Sequence, residues 1–250
     1  MTEGPATPRI GTAGWSIPRT CAPAFSAEGT GLWRYAARFA AVEINTTFYR
    51  SPRPQTLARW AQTTPPGFRF SVKAPRALTH EAKLVDCEPR LARFLAELEP
   101  LGRKLGPILL QLPPSLAFSR PTAERFFGFL RAQWAGPVAC EPRHASWFED
   151  AAELCLQSFR IARVAADPVR APGADRPGGD PGLAYWRLHG APRPYYSSYP
   201  PEALDHLAAA LAQRAPESTW CIFDNTASGA AVANALALCE VLRARAADPD

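Results

Sequence analysis

No C-x-x-C pair occurs among the six cysteines, Cys21, Cys87, Cys140, Cys155, Cys221 and Cys239, which argues against a zinc knuckle or a thioredoxin-type redox site. Cys140, Cys155, Cys221 and Cys239 lie within apolar patterns and read as small, reduced core residues. No apolar run approaches the roughly 18–20 residues of a membrane-spanning helix, so no membrane partner is expected. Residues 1–8 carry no basic-then-apolar leader pattern. They read as a flexible N-terminus ahead of one domain over 9–250, with a cytoplasmic location as the default. There is no charge block, no coiled-coil heptad and no short repeat. Lysine is scarce: 25 Arg stand against Lys73, Lys83 and Lys104 alone. The net charge of +5 suits an anionic ligand but falls well short of a nucleic-acid-binding tail.

Against these absences stands one strong signal. In Val42-Glu43-Ile44-Asn45-Thr46-Thr47-Phe48-Tyr49, polar residues at 43, 45 and 47 alternate with apolar ones at 42, 44 and 48. That is the period of a strand with one polar face. The chain otherwise alternates strand and helix, which implies a parallel sheet, and parallel strands are normally apolar on both faces. Polar residues on such a strand need partners. The anomaly recurs late in other strands: Ser71 and Lys73, Glu141 and Arg143, Arg187 and His189, and the terminal Asp167 and Asp224. Together they point to one concave site at the C-terminal ends of parallel strands.

Eight strands are expected, over 9–14, 42–49, 69–74, 107–112, 137–143, 161–167, 183–189 and 219–224. Amphipathic helical stripes fall between most of them. Residues 168–182, rich in Pro, Gly, Asp and Arg, read as a loop in place of the sixth helix. This pattern matches a single α/β domain, a (β/α)8 TIM barrel of about 250 residues. An open doubly-wound sheet is disfavoured, because Gly11-Thr12-Ala13-Gly14-Trp15-Ser16 lacks the G-x-G-x-x-G spacing.

The acidic candidates are Glu43, Glu141, Asp167 and Asp224; the basic ones are Lys73, Arg143, Arg187, His144 and His189. Glu43 or Glu141 would act as general base and His189 as proton donor. Arg143, Arg187 and Lys73 would hold an anion. A Lys beside arginines has its pKa lowered. With Asp224, these carboxylates, His189 and Lys73 form the catalytic set. Trp15, Asn45, Arg143, His144, Asp167, Arg187, Tyr196 and Asn225 form the binding set. A divalent metal on Glu43, Glu141, Asp167, His189 and Asp224 is an open alternative. No H-E-x-x-H supports it, so no metal ligand is assigned. Glu43→Gln is expected to leave the melting temperature equal to or above that of the parent while abolishing ligand binding.

Six ordered motifs resemble the YecE-like family, a domain of unknown function. They are Gly11-Thr12-Ala13-Gly14-Trp15, Glu43 through Tyr49, Lys73-Ala74 with Thr79-His80, Gln111-Leu112-Pro113-Pro114, Glu141-Pro142-Arg143-His144 with Ser146-Trp147, and Arg187-Leu188-His189-Gly190. The resemblance implies a TIM barrel of unassigned activity. The chain departs from the family at Pro142 and at Asp224-Asn225, where Asn-Asn is usual. The leading expectation is an enzyme working by acid/base chemistry, as hydrolase, lyase or isomerase, on a small anionic substrate of phosphorylated or sugar-like type. The alternatives are a nucleic-acid-binding or metal-dependent phosphodiester-processing barrel, and a non-catalytic module for a small ligand. Oligomeric state stays open.

Overall fold

The structure is a computed structural model and describes residues 7–247. The flexible segment expected over 1–8 lies, for residues 1–6, outside the described residues. Strands β1 (Arg9–Thr12), β2 (Ala41–Ile44), β3 (Arg69–Lys73), β4 (Leu105–Gln111) and β5 (Val138–Glu141) alternate with helices α1 (Gly31–Ala36), α2 (Pro54–Thr63), α3 (Glu88–Leu98) and α4 (Arg120–Gln133). After α5 (Asp150–Ser158) come β6 (Ala162–Arg163) and β7 (Ala165–Asp167), a single stretch interrupted at Val164. The short β8 (Gly178–Gly179), β9 (Ala184–Leu188), α6 (Pro201–Ala212), β10 (Thr219–Phe223) and α7 (Ala230–Ala247) follow. Between Asp167 and β9 there is no helix, only β8 in an irregular segment, as the loop reading expects. Prolines open α2, α3, α4 and α6, where the missing N–H would have had no helical partner.

The fold is α/β, but the ladders form two sheets where one closed eight-stranded ring was expected. One has the order β1-β10-β9-β7 and the other β2-β3-β4-β5-β6-β8. Every pairing is parallel except β6 with β8. The sheets meet at two places. A lone parallel bridge joins Ala13 to Glu43, and the Gly14 N–H donates to the Glu43 carbonyl at 2.9 Å. Gly11 makes this approach possible, since a Cβ there would lie 2.2 Å from the Ala41 oxygen. At the other junction Val164 N–H still donates to Cys140 O (2.8 Å), while the Ala166 amide is diverted to Ala174 O (2.8 Å). The ladder is broken because β1 and β2 stop early and because the chain leaves β5 for β9 within one strand's length.

The strands are shorter than expected at their C-terminal ends. β2 stops at Ile44; Asn45 turns to φ −97°, ψ −18°, and Thr46–Phe48 coil into a 3-10 turn. The Thr47 hydroxyl fixes that turn to the next strand by donating to Lys73 O (2.7 Å). β5 ends at Glu141, before Pro142, which has no N–H for a ladder.

Period-2 alternation then sorts the side chains. Val42, Ile44, Phe70, Val72, Ile108, Leu110, Cys140, Leu188, Cys221 and Phe223 belong to the large core shared with the helices. The opposite face carries a smaller apolar cluster, with Ala41, Leu109, Ala139, Tyr185, Trp220 and Ile222. One residue pair further along the same face, Glu43, Gln111, Glu141 and Arg187 replace the apolar side chains. The polar layer therefore rests on an apolar one. No helix among the described residues is long and apolar enough to cross a membrane.

Candidate functional site: a buried ion network beneath a cationic cavity

Arg187, on β9, is fully buried and is the hub. Its Nε and Nη2 donate to Glu43 Oε2 (3.0 Å) and Oε1 (2.7 Å). Its Nη1 reaches Glu141 Oε2 (3.2 Å) and Asp224 Oδ2 (3.0 Å). One guanidinium thus serves carboxylates from β2, β5 and the end of β10. The Tyr185 hydroxyl donates to Glu43 Oε2 (3.1 Å) and lies 2.9 Å from Ser71 Oγ. Glu141 also accepts from Arg143 Nε (3.1 Å) and from Gln111 Nε2 (3.0 Å to Oε2).

His189, one residue past β9, sits between two carboxylates. Its Nε2 is 2.9 Å from Glu141 Oε1 and its Nδ1 is 3.0 Å from Asp224 Oδ2. A carboxylate only accepts, and both lie closer to the ring than the guanidinium nitrogens of Arg143 (3.3 Å from Nε2) and Arg187 (3.3 Å from Nε2), so both ring nitrogens donate to the carboxylates and the ring is an imidazolium. Burial alone would lower its pKa, but Glu141 and the hydrogen bonds to Asp224 and Glu141 outweigh it, and the pKa is raised. Burial alone would raise the Glu141 carboxyl; His189, Arg187 and Arg143 instead hold it well below the usual carboxylate range. Asp224 is likewise held down, against its burial, by Arg187 and His189.

The signs give a prediction. His189 stabilises fully below its ordinary value of 6.5, and this is lost as pH rises through the raised folded value. Glu141 and Asp224 stabilise above their ordinary values of 4.5 and 3.8, and this is lost only as pH falls through the depressed folded values. From these three groups calorimetric melting should be highest between about pH 4.5 and 6.5 and decline as pH rises from 6.5 toward 8. His189→Gln should flatten that alkaline decline; an unchanged profile would refute the imidazolium assignment.

Over this network opens a cavity of about 640 Å³. Asn45, Lys73, Gln111 and Asp224 line it from strand ends, and Phe48, Tyr49, Arg76, His80, Arg143, Tyr195, Tyr196, Thr226 and Ala227 from the turns and loops beyond. Lys73 is the last residue of β3 and only 7% exposed. Its Nζ lies 4.2 Å from the centroid of the Phe48 ring. Among the described residues its ammonium has neither an ion pair within 4.0 Å nor a hydrogen bond. Burial first, and then Arg187, push its pKa down to about 8, against the opposing pull of Glu43, Glu141 and Asp224. His80 is lowered too, by burial and by Lys73, Arg143 and Arg76. Three carboxylates (Glu43, Glu141, Asp224) thus face four cationic groups (Arg187, Arg143, His189, Lys73), leaving one positive charge over.

Glu43, Glu141, His189, Asp224, Arg143 and Arg187 do come together, yet as a packed network of which only Arg143 and Asp224 line the cavity, with Lys73 on the cavity wall beside them. Arg187 is fully buried, faces three carboxylates and does not line the cavity, and Glu43 is sealed beneath it. Asn45 and Tyr196 line the cavity. Four others do not line it. Trp15 packs edge-on to Trp60 at 4.7 Å. His144 caps a 3-10 turn through Ser146. Asp167 accepts from the Tyr199 hydroxyl (2.6 Å) in a separate outer groove. Asn225 is buried, donating to Ser197 O and Asn234 Oδ1. Trp15, His144 and Asn225 follow strand ends, where the turn aims them sideways, and Asp167 ends β7 in register with Leu188 of the helix-facing core. Gln111 was missed, although as a polar strand-terminal residue it obeys the rule that marks Lys73. Arg76 and Thr226 stand in loops and carry no comparable signal. Among the described residues no group of three or more His, Cys, Asp or Glu is arranged to hold a metal ion.

The model of the DUF72 family, described as a protein of unknown function, matches residues 9–250. UPF0759 protein YecE of Escherichia coli K12 is 34% identical over 140 residues, covering 56% of this chain and 49% of YecE. The chain spans about half the length of the curated relatives it matches. A solved DUF72 family protein of Thermotoga maritima superposes with a TM-score of 0.78 at 27% identity, over 95% of this chain and 99% of that one. A xylose isomerase-like TIM barrel/4-hydroxyphenylpyruvate dioxygenase fusion protein superposes with a TM-score of 0.55 at 13% identity, over 96% of this chain and 44% of that one, a likeness of fold alone.

Proposed function

Because the chain belongs to the DUF72 family, whose members carry no assigned reaction, we propose a function from the chemistry of the cavity: acid/base catalysis on a small anionic substrate, phosphorylated or sugar-like. Arg76 and Arg143 grip the anion, and Lys73 is the group that takes and gives the proton. The observation that carries this reading is the Lys73 ammonium, held on the cavity wall with no acidic partner within 4.0 Å and with a surplus positive charge around it. A buried charge without a partner is costly, so a site that keeps one gains from a ligand of opposite sign. A cavity of about 640 Å³ is of the size that encloses a small molecule. Glu43 and Arg187 are then the scaffold, fixing Glu141 and His189 under the cavity floor.

We read the two sheets as halves of one (β/α)8 ring, which is the arrangement that aims the ends of β2, β3, β4, β5, β9 and β10 at one point. The fold likeness to the xylose isomerase-like barrel supports it. The six free cysteines, four of them buried, agree with a reducing compartment, and cytoplasm is the location we propose.

The test is titration calorimetry with inorganic phosphate at pH 7 and low ionic strength. Arg76 is half-exposed and paired only with Glu81 at 3.2 Å, so Arg76→Ala removes an anion contact without opening the buried network. Phosphate should bind the parent and bind Arg76→Ala about 10-fold more weakly, the worth of one hydrogen bond to a charged group. Equal affinities would overturn the anion-binding assignment.

A further inference from the structure

We propose that Lys73 is a nucleophile that forms a Schiff base with a small aldehyde or ketone carrying a phosphate or carboxylate, with Arg76 and Arg143 receiving the anionic end. This rests on the anion-binding reading above and names the substrate class for it.

An amine attacks a carbonyl only after losing its proton, and a salt bridge would hold that proton in place. Among the described residues Lys73 has no carboxylate within 4.0 Å, although Glu43, Glu141 and Asp224 all lie in the network below it. Arg187 takes up those carboxylates and at the same time repels the ammonium. The facing groups are Arg187, Arg143 and Arg76 on the cationic side, the three paired carboxylates on the other, and His80, whose pKa is lowered by burial and by these cations. The Phe48 ring, 4.2 Å away, shields the amine from water on one side. The resulting pKa of about 8 leaves a substantial share of free amine near neutrality. Asn45 adds a second clue. It lines the same cavity, and its Oδ1 is buried without a hydrogen-bond partner. Such an acceptor suits a substrate hydroxyl, so the fitting compound is a hydroxylated carbonyl with an anionic end.

The step balances within the site. The amine nitrogen bonds to the carbonyl carbon as the C=O π pair moves to oxygen, giving a carbinolamine. That oxygen leaves as water with both amine hydrogens, and the nitrogen lone pair closes the C=N bond. Asp224 lines the cavity and is hydrogen-bonded to His189, so a proton path to the departing oxygen exists through their shared hydrogen bond.

The experiment is reductive trapping of the full chain with dihydroxyacetone phosphate and borohydride, followed by peptide mass mapping. Borohydride delivers hydride to the imine carbon and locks the adduct as a secondary amine. Lys83 and Lys104 serve as internal controls, since neither lines the cavity. An amine with pKa near 8 holds roughly 300-fold more free base at neutral pH than an ordinary lysine, so the adduct should appear on Lys73 first. Arg76→Ala should slow trapping of dihydroxyacetone phosphate about 10-fold more than it slows trapping of uncharged dihydroxyacetone. Labelling spread evenly over the three lysines would overturn the proposal, as would no adduct at Lys73. If phosphate binds calorimetrically and responds to Arg76→Ala while no adduct forms, the nucleophile falls and the anion site stands.

Discussion

Glu43→Gln should lower the melting temperature by roughly 10 °C. The carboxylate is fully buried and makes a two-point pair with Arg187, while also accepting from Tyr185. Gln keeps the outline of the side chain but places an N–H among donors that need an acceptor. It also leaves Arg187 short of one negative charge. Breaking one partner of a buried pair costs about 3–5 kcal/mol. For a chain of this size each kcal/mol is worth about 2–4 °C. Scanning calorimetry at pH 6 is the measurement. The expectation from the sequence was the reverse, a temperature equal to or above the parent, and it assumed a carboxylate left partly unpaired for catalysis. The two hydrogen bonds from Arg187 remove that assumption. A melting temperature within about 2 °C of the parent would restore it, since so small a shift corresponds to under about 1 kcal/mol.

Lys73→Met should act in the opposite direction and stabilise the protein at pH 7. The folded pKa of about 8 lies below the ordinary 10.5, so between these values the unfolded chain binds more protons. Stability therefore rises with pH across that window, and below it the charged lysine costs the fold the full difference. That difference is about 3 kcal/mol at most. Met keeps the contact with Phe48 and removes the charge. The gain should be largest below pH 8 and fade as pH approaches 10.5, where both forms of the site are neutral. Phosphate affinity should fall in the same variant. A Lys73→Met protein less stable than the parent at pH 7 would mean that the ammonium has a partner after all.

The polar layer was legible because strand periodicity is local. Glu43, Lys73, Glu141 and Arg187 each break an apolar alternation late in a parallel strand; Glu43, Glu141 and Arg187 lie in the network and Lys73 on the cavity wall above it. Who pairs with whom was not legible. Arg187 and Glu43 are 144 residues apart, and spacing holds no record of their contact. Arg187 was read as an anion holder because a lone buried guanidinium would be one; three carboxylates make it a hub instead. Trp15, His144, Asp167 and Asn225 were misplaced for a different reason. Trp15, His144 and Asn225 stand two or three residues beyond a strand, where φ and ψ of a turn decide direction and alternation no longer applies, and Asp167 ends β7 in register with Leu188 on the helix-facing side. The early end of β2 shows the same limit: Asn45 and Thr47 look like strand residues, yet the 3-10 turn gives Asn45 to the cavity and Thr47 to the backbone of β3.

The seam between the two sheets gives the network a mechanical meaning. Glu43, Lys73, Gln111 and Glu141 stand on the six-stranded sheet, while Arg187 stands on the four-stranded one and His189 and Asp224 just beyond its strands. The backbone contributes little along one edge, a single bridge at Ala13 and Glu43. The ion network is thus a clasp, fastening across the gap what the ladder leaves open. A ligand touching Lys73 and Asp224 together would hold both leaves of the hinge. Its binding energy would then oppose their parting, so that occupancy of the cavity and tightness of the seam are one and the same coordinate.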